Sequence, residues 1–397
     1  TTGKAGKNAF GVFVAEDEIT NLLFPGNQGS SADSFDFETT DAVLRYRRDL
    51  PRNSALGMLF THRQGGGYSN LLAGVDGLIR FSESDTLEFQ YLRSETEYPN
   101  AIAADFDQPT GTFDDDALKL VFIHNDRDWR WWALYEDLGE GFRADMGFIP
   151  RVGIRHGRTG VRRTWWGERD DWFTEIQVAG NLDRVEDQGG RRLEQTYETW
   201  ARVRGPKQSF AELRLLTRDR FFDGVEFTEE QVSSFLNVQP TGRLSLDLRS
   251  RFGDQVDFAN TQPGEILVLE PGIRLDFGKH LRTRLSHEFR RLDVDGGTLF
   301  EANLTQARFL YQLNLRTFFR AIFQLTDITR EPSLFVDSDD IEPETEQLFS
   351  QLLFSYKVNP RTVLFLGYSD NYRGDQDVGL TQENRALFLK IGYAWVL

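Results

Sequence analysis

The chain has 397 residues, a formal net charge of −16 and no cysteine. The missing cysteine excludes disulfides and thiolate metal sites, and the acidic balance argues against nucleic acid as a partner, because phosphate binding needs clustered positive charge. Its 33 Phe, 11 Tyr and 8 Trp stand among 27% charged residues without a long apolar run, which excludes a helical membrane protein with spans of about 20 apolar residues.

Apolar and polar residues alternate with a period of two along the whole chain, and this pattern predicts β-strands. In residues 86–94, Leu87, Phe89 and Tyr91 share one face, while Glu88 and Gln90 share the other. The same alternation occurs in 243–249, 281–290 and 318–326. One face of the predicted sheet is therefore apolar and the other is charged.

The alternating segments predict about 20 strands, with 18 to 22 as the range that boundary errors allow. An even number leaves both ends of the chain on the same side of an up-and-down barrel. The predicted strands are 8–16, 41–49, 55–64, 71–82, 86–95, 116–125, 129–137, 157–167, 172–183, 192–204, 209–221, 230–239, 243–253, 265–277, 281–292, 300–313, 316–329, 346–358, 361–371 and 381–397.

The connections between these strands alternate between tight and loose. The tight ones are rich in turn formers and lie at 49–54, 82–85, 125–128, 205–208, 239–242, 278–280 and 359–361. The loose ones lie at 17–40, 65–70, 95–115, 137–157, 184–191, 254–263, 293–298, 331–345 and 371–380. Short periplasmic turns and long extracellular loops are typical of outer-membrane barrels.

The last predicted strand supports the same fold. Leu387, Leu389, Ile391 and Tyr393 share one face with Trp395 and Leu397, and an aromatic closing strand resembles the C-terminal signal of bacterial outer-membrane proteins. The alternative is the final strand of a soluble β-sandwich. We therefore predict an all-β fold: one transmembrane antiparallel β-barrel domain over residues 1–397, in the outer membrane of a Gram-negative bacterium, with the lipid bilayer and lipopolysaccharide as its surroundings.

A barrel of this size exceeds the 16–18 strands that already enclose an aqueous channel. Loops 17–40, 95–115 and 137–157 are long enough to fold into it. Arginines and carboxylates on the charged face are candidates to line the lumen and set its field, although a structural lattice of ion pairs is an equal alternative. These candidates are Arg45, Arg47, Glu88, Glu198, Arg202, Arg204, Glu212, Arg214, Asp247, Arg249, Arg282, Arg284, Glu288, Arg308 and Arg320.

No motif for catalysis or for a metal stands out, and we expect neither a cofactor nor a metal. The five histidines, including His287 between Leu285 and Phe289, have no second histidine at ligand spacing. Clustered acids at 113–116, 167–171 and 337–340 could bind Ca²⁺, but they lack the glycine-containing EF-hand spacing and are interpreted as solvated connections.

Three segments carry a family resemblance: 3–15 (GKAGKNAFGVFVA), 91–97 (YLRSETE) and 141–151 (GFRADMGFIPR). They resemble an uncharacterised bacterial barrel that follows a periplasmic domain similar to family 9 carbohydrate-binding modules. The resemblance implies an outer-membrane protein of unassigned function. The amino-terminal domain of that family does not precede these residues here, so its sugar binding cannot be carried over. The residues that carry most of the resemblance are Phe142, Asp145, Gly147, Phe148 and Arg151.

Three functions fit the sequence. The first is a non-enzymatic channel or conduit with a mixed-charge lumen partly closed by loops. The second is a barrel that anchors or houses another polypeptide, such as a periplasmic or surface protein or a missing amino-terminal domain. The third is a membrane-embedded hydrolase with a loop-borne or histidine-dependent site.

Overall fold

The computed structural model describes residues 1–339, 341–359 and 361–393, and strands dominate it. A single α-helix, α1 (Asn100–Asp105), and two 3₁₀ turns, Pro51–Asn53 and Pro332–Leu334, occur in the described residues. The strands of the first half are β1 (Thr2–Ala5), β2 (Asn8–Asp17), β3 (Thr20–Pro25), β4 (Ser30–Phe35), β5 (Thr39–Asp49), β6 (Ala55–Gly65), β7 (Tyr68–Arg80), β8 (Asp85–Glu97), β9 (Thr112–Asn125), β10 (Trp129–Leu138), β11 (Ile154–Trp166) and β12 (Glu175–Asp187).

The second half has longer strands and shorter connections. Its strands are β13 (Arg192–Arg204), β14 (Phe210–Phe222), β15 (Val225–Thr241), β16 (Leu244–Asp257), β17 (Gln262–Phe277), β18 (Leu281–Val294), β19 (Gly297–Asn314), β20 (Thr317–Arg330), β21 (Glu344–Asn359), β22 (Thr362–Asp375) and β23 (Thr381–Tyr393). No helix among the described residues has the length and apolar character that a membrane-spanning helix needs.

Over the described residues, all strands except β3 and β4 belong to one 21-stranded sheet, and β3 and β4 form a separate hairpin. The chain forms two compact units. Unit 1 comprises Thr1–Thr164, Ala179–Glu198 and Arg218–Glu226, and unit 2 comprises Trp165–Val178, Thr199–Thr217 and Phe227–Leu397. In unit 1, β2 pairs with β1 and β5, and each strand from β5 to β11 pairs antiparallel with the next. In unit 2, β15 to β23 do the same.

The strand register gives each unit one apolar and one charged face, because directly paired residues of an antiparallel sheet lie on the same side. In unit 2 an apolar row runs across five strands through Leu246, Ile273, Leu285, Ala307 and Phe323. In unit 1 the corresponding row contains Tyr46, Met58, Val75 and Tyr91, all exposed. Large apolar side chains exposed in continuous rows fit contact with lipid.

The twenty predicted strands are confirmed as β2 and β5–β23. The alternation did not reveal the short strand β1, the hairpin β3–β4 or α1. The structure describes the last predicted strand, 381–397, only as far as Tyr393, so Trp395 and Leu397 lie outside the described residues.

Four predicted loose connections are wrong. The segments at 65–70, 184–191, 254–263 and 293–298 are tight turns, because the flanking strands continue into them and leave only 66–67, 188–191, 258–261 and 295–296 unpaired. Residues with positive φ, such as Gly66, Gly67 and Gly296, make these turns possible. The long connections are therefore concentrated in unit 1.

Candidate functional site

Three long connections of unit 1 pack together at the loop end of its strands. We call them the loop cluster: the hairpin β3–β4 (Thr20–Phe35), the segment 98–111 that contains α1, and the segment 139–153 between β10 and β11. Each contacts side chains on the charged face of β7, β8 or β9. The cluster therefore covers part of that face.

Aromatic rings join the hairpin to the segment 98–111. Phe24 of β3 stacks on Phe106 with ring centroids 4.2 Å apart. Tyr98 stacks on Tyr68 of β7 at 5.7 Å, and the side chains of Tyr68, Tyr98 and Phe24 are almost fully buried. Ile102 of α1 completes this apolar core. Because β3 and β4 pair only with each other, this core is the main apolar contact that holds the hairpin on unit 1.

The segment 139–153 has an apolar core of its own. Phe142 is fully buried against Leu72 of β7, Leu92 of β8 and Val152. The backbone runs close to β9 at Gly139, where an added Cβ would overlap the Asp115 carboxylate unless that side chain moved. This close approach lets the segment turn back over the sheet immediately after β10.

Asp145 connects this segment to the aromatic core. Its Oδ2 accepts hydrogen bonds from the hydroxyls of Tyr68, at 2.8 Å, and Tyr98, at 3.2 Å. Its backbone N–H donates to Oδ1 of Asn70 at 3.3 Å. Burial raises the pKa of the Asp145 carboxyl, and the two tyrosine hydroxyls oppose that rise. Asp145 is thus a half-buried carboxyl that accepts its side-chain hydrogen bonds from neutral donors.

Two strand residues fix the backbone of the same segment. The side-chain nitrogen Nδ2 of Asn70 donates to the Arg143 carbonyl, at 3.2 Å, and to Thr96 Oγ1, at 2.8 Å. The Arg143 N–H donates to Ser94 Oγ at 2.9 Å. Asn70, Thr96 and Ser94 are all buried, so these hydrogen bonds are shielded from water and costly to break.

The Arg143 guanidinium is also buried, with 4% of the residue exposed. It donates to Gln108 Oε1 at 2.7 Å and to the carbonyls of Glu140 and Phe142 at 2.9 and 2.8 Å. Within the described residues no carboxylate lies within ion-pair distance of Arg143. Its charge is stabilised by these dipoles, by the Phe113 ring 5.4 Å away and by the more distant Asp145 carboxylate. Arg143 thereby links the segments 98–111 and 139–153.

A second buried arginine anchors the start of the hairpin. Arg63 of β6, 5% exposed, forms an ion pair with Asp41 at 3.1 Å and another with Asp17 at 3.2 Å. It also donates to the Asn21 carbonyl at 3.0 Å. This set of contacts fixes the chain where it leaves β2 and enters β3.

The hairpin and the segment 139–153 also contact each other directly. The Val152 N–H donates to the Gly26 carbonyl at 3.0 Å, and Arg151 Nε donates to the Asn27 carbonyl at 2.9 Å. Gly26 and Arg151 form a parallel β-bridge. All three connections are therefore joined by hydrogen bonds or packing.

The predicted lumen residues of unit 1 lie on the charged face, mostly outside the loop cluster. Arg45 forms a bidentate ion pair with Asp76, in which Nη2 donates to Oδ1 at 2.7 Å. Arg47 pairs with Asp49 at 3.3 Å. Glu198 accepts a hydrogen bond from Asn181 at 2.9 Å. Within the described residues Glu88 has no ion pair; it lines a cavity of about 410 Å³ that Arg45, Arg47 and Lys119 also line.

In unit 2 most of the predicted lumen residues are ion-paired across or along the strands. Their role as lumen residues stays a prediction, but the pairing is that of an Arg–carboxylate lattice. The pairs are Arg202–Glu212 at 3.2 Å, Arg214–Glu212 at 3.0 Å, Arg204–Glu175 at 3.6 Å, Arg249–Glu270 at 3.6 Å, Arg282–Asp276 at 2.7 Å, Arg284–Asp247 at 3.3 Å and Arg290–Glu288 at 2.8 Å. Arg320 donates only to the Gln351 carboxamide, at 2.8 Å, and Arg308 has no ion pair in the described part of the chain.

The structure gives hydrogen-bond or ion-pair partners to several of the other candidate residues. His287 lies 2.8 Å from Thr305 Oγ1, and His156 lies 3.0 Å from Asp183. Asp114 and Asp116 pair with Arg93. In the acidic stretch 337–340, Asp340 lies outside the described residues. No group of three or more metal-ligating side chains occurs among the residues the structure describes.

Solved structures with a similar fold include a siderophore receptor and a copper transporter. The siderophore receptor PirA from Acinetobacter baumannii superposes with a TM-score of 0.53 over 99% of this chain and 75% of its own, at 9% identity. The copper transporter OprC superposes with a TM-score of 0.58 over 98% of this chain and 76% of its own, also at 9% identity. No family model and no curated protein matches the sequence. The likeness establishes the fold, an up-and-down antiparallel transmembrane β-barrel.

Proposed function

We propose that the chain is an outer-membrane conduit of a Gram-negative bacterium, whose charged face lines the lumen and whose loop cluster closes part of it. The observation that carries the proposal is the packing of three connections against the charged face of β7–β9. A loop that merely extended into solvent would not bury Phe142, Asn70 and Arg143 on that face.

The two faces of the sheet support the membrane part of the proposal. The exposed apolar rows suit the acyl chains of a bilayer and of lipopolysaccharide, and the charged rows suit a water-filled interior. Both compared structures are a transporter or a receptor by name, which favours a transport role over an enzymatic one. The resemblance to the barrel that follows a carbohydrate-binding-like domain stays a prediction.

The test is single-channel conductance of the folded chain in a planar bilayer, compared with a variant that lacks most of the segment 139–153. Leu138 and Ile154 are direct partners in the β10–β11 pair, so a short Gly-Ser turn can replace residues 140–152 without changing the strand register. We expect the shortened variant to conduct in larger steps than the wild type, because the loop cluster loses one of its three parts.

A control shortens the connection between β22 and β23, where Arg373 and Thr381 are direct partners. Residues 376–379 of that connection are exposed, so its shortening is expected to leave the conductance near the wild-type value. Equal conductance of the wild type and the 140–152 variant would contradict closure by the loop cluster. A barrel that inserts but stays silent in all three forms would contradict a conduit and favour the barrel that houses a polypeptide partner.

A further inference from the structure

Three arginines lie side by side on the charged face of unit 2. The register pairs Arg274 of β17 with Arg284 of β18, and Arg284 with Arg308 of β19. Directly paired residues have their Cβ atoms about 4.5–5.5 Å apart on the same side of the sheet. Arg320 of β20 lies diagonally next to Arg308, two positions from Ile322, the direct partner of Arg308. We call these four residues the arginine row.

The carboxylates around the arginine row are already paired. Asp247 pairs with Arg284 itself, Asp276 with Arg282, Glu270 with Arg249, and Glu288 with Arg290. Within the described residues, Arg274 and Arg308 have no carboxylate partner. Arg320 has only the Gln351 carboxamide, and its Nε makes no hydrogen bond there. The row thus has an excess of positive charge in a chain whose overall charge is strongly negative.

Like charges placed directly opposite one another destabilise a sheet. On the surrounding face, Arg249, Arg282 and Arg290 each have a carboxylate partner instead. Arg308 and Arg284 are exposed and Arg274 is half-buried, so their guanidinium groups are accessible from the charged face. Neighbouring guanidinium groups can each donate paired N–H bonds to one planar or tetrahedral oxyanion.

We propose that Arg274, Arg284, Arg308 and Arg320 form a binding site for the oxyanion group of a solute, a carboxylate or a phosphate. The proposal rests on the conduit function above and adds the class of solute to it. The bound anion supplies the negative charge that the neighbouring carboxylates do not provide to the arginine row. The arginine row thereby selects for anions at one place on the charged face.

The first experiment measures arginine modification by phenylglyoxal in the folded, detergent-solubilised barrel, with peptide mapping by mass spectrometry. Inorganic phosphate and succinate are the two probes, and chloride at matched ionic strength is the reference. We expect one or both probes to slow modification of Arg274 and Arg308 several-fold. Arg249 and Arg282, whose side chains are exposed but acid-paired, are expected to keep their rates.

The two probes separate the two sources of the oxyanion, since protection by phosphate alone points to a phosphorylated solute and protection by succinate alone to a carboxylate. Protection of neither Arg274 nor Arg308, or equal protection of Arg249 and Arg282, would overturn the proposal.

The second experiment compares reversal potentials of the wild type, the double variant Arg274→Gln/Arg308→Gln and the control Arg249→Gln under a salt gradient. We expect the ratio of anion to cation permeability to fall several-fold in the double variant and to stay unchanged in the control. Unchanged selectivity in a conducting barrel would overturn the anion site and leave the conduit standing. Protection from phenylglyoxal in a barrel that never conducts would support the anion site and overturn the conduit.

Discussion

The charged faces of the two units are stabilised in different ways. In unit 1 the loop cluster covers part of the face, and two arginines in it are nearly fully buried, Arg63 at 5% and Arg143 at 4% exposure. In unit 2 the connections are mostly tight turns and the arginines stay accessible, with side chains such as that of Arg249 62% exposed. The same strand pattern thus carries a face covered by connections where these are long and a face with exposed arginines where most of them are short.

The largest expected effect breaks the apolar core of the loop cluster. Phe142→Ala should cost about 3–5 kcal/mol in the stability of the segment 139–153, the usual loss for a fully buried phenylalanine. Hydrogen exchange of this segment in the folded barrel measures the loss. Phe148→Ala, in the same segment but 77% exposed, should leave exchange unchanged; equal effects of the two variants would contradict the packing described.

Breaking a buried ion pair should lower the free energy of unfolding far more than breaking an exposed one, and this difference is the next largest expected effect. Arg63→Gln leaves Asp41 buried without its partner and should cost at least about 3 kcal/mol, as when a buried pair loses one member. Arg47→Gln breaks an exposed pair with Asp49 and should cost little, because solvent screens exposed ion pairs. Urea unfolding in detergent micelles compares the two. A similar small loss in both variants would mean that Arg63 is not held as the structure has it.

The faces of unit 2 can be tested at two adjacent residues. Phe323→Lys places a charge on the apolar face near the middle of β20 and should cost about 2–4 kcal/mol in a bilayer. Gln324→Lys, on the charged face beside Gln306, should be mild. The measurement is the unfolding free energy in lipid vesicles, and equal tolerance at both positions would contradict the assignment of the two faces.

The smallest expected effect is the pH dependence of the loop cluster. Because burial raises the pKa of Asp145, ionising this carboxyl costs free energy in the folded segment. Its contribution to stability is fully present below the ordinary aspartate pKa of about 3.9 and is lost as the pH rises through the raised value. We expect protection of 139–153 against hydrogen exchange, corrected for intrinsic rates, to fall over that window.

Two substitutions check the origin of this pH dependence. Asp145→Asn should abolish the fall in protection, since the amide does not ionise. Asp107→Asn, at an exposed carboxyl of the same loop cluster, should keep it. Loss of the pH dependence in both variants, or in neither, would assign it to other groups.

The strands could be predicted because their signal is local. Alternation within each segment fixes which residues share a face. Arg274 follows that pattern between Ile273 and Leu275, so its position on the charged face could be predicted from the sequence. The three loops that form the cluster were also recognisable by their length. The four tight turns at 65–70, 184–191, 254–263 and 293–298 were not, since a stretch rich in glycine or polar residues predicts a loose loop and a tight turn equally well.

The partners of each residue could not be predicted, because they depend on register between distant segments. The Tyr68–Asp145 hydrogen bond joins residues 77 positions apart, and nothing local to either residue specifies the other. Similarly, Arg45 was a candidate from its alternation, whereas its partner Asp76 requires the offset between β5, β6 and β7. The candidate site therefore emerges from the fold and not from a motif.

A reversible tether on the segment 139–153 tests whether this segment closes part of the lumen. The chain has no cysteine, and a Cβ at Gly141 would lie 3.4 Å from that of Asp115 in β9, close to the ~3.5–4.5 Å of a disulfide. In the double variant Asp115→Cys/Gly141→Cys, we predict small, steady conductance when oxidised and larger or fluctuating conductance after reduction, with neither change in the single variants. The same conductance in both redox states would mean that the segment 139–153 does not close the lumen.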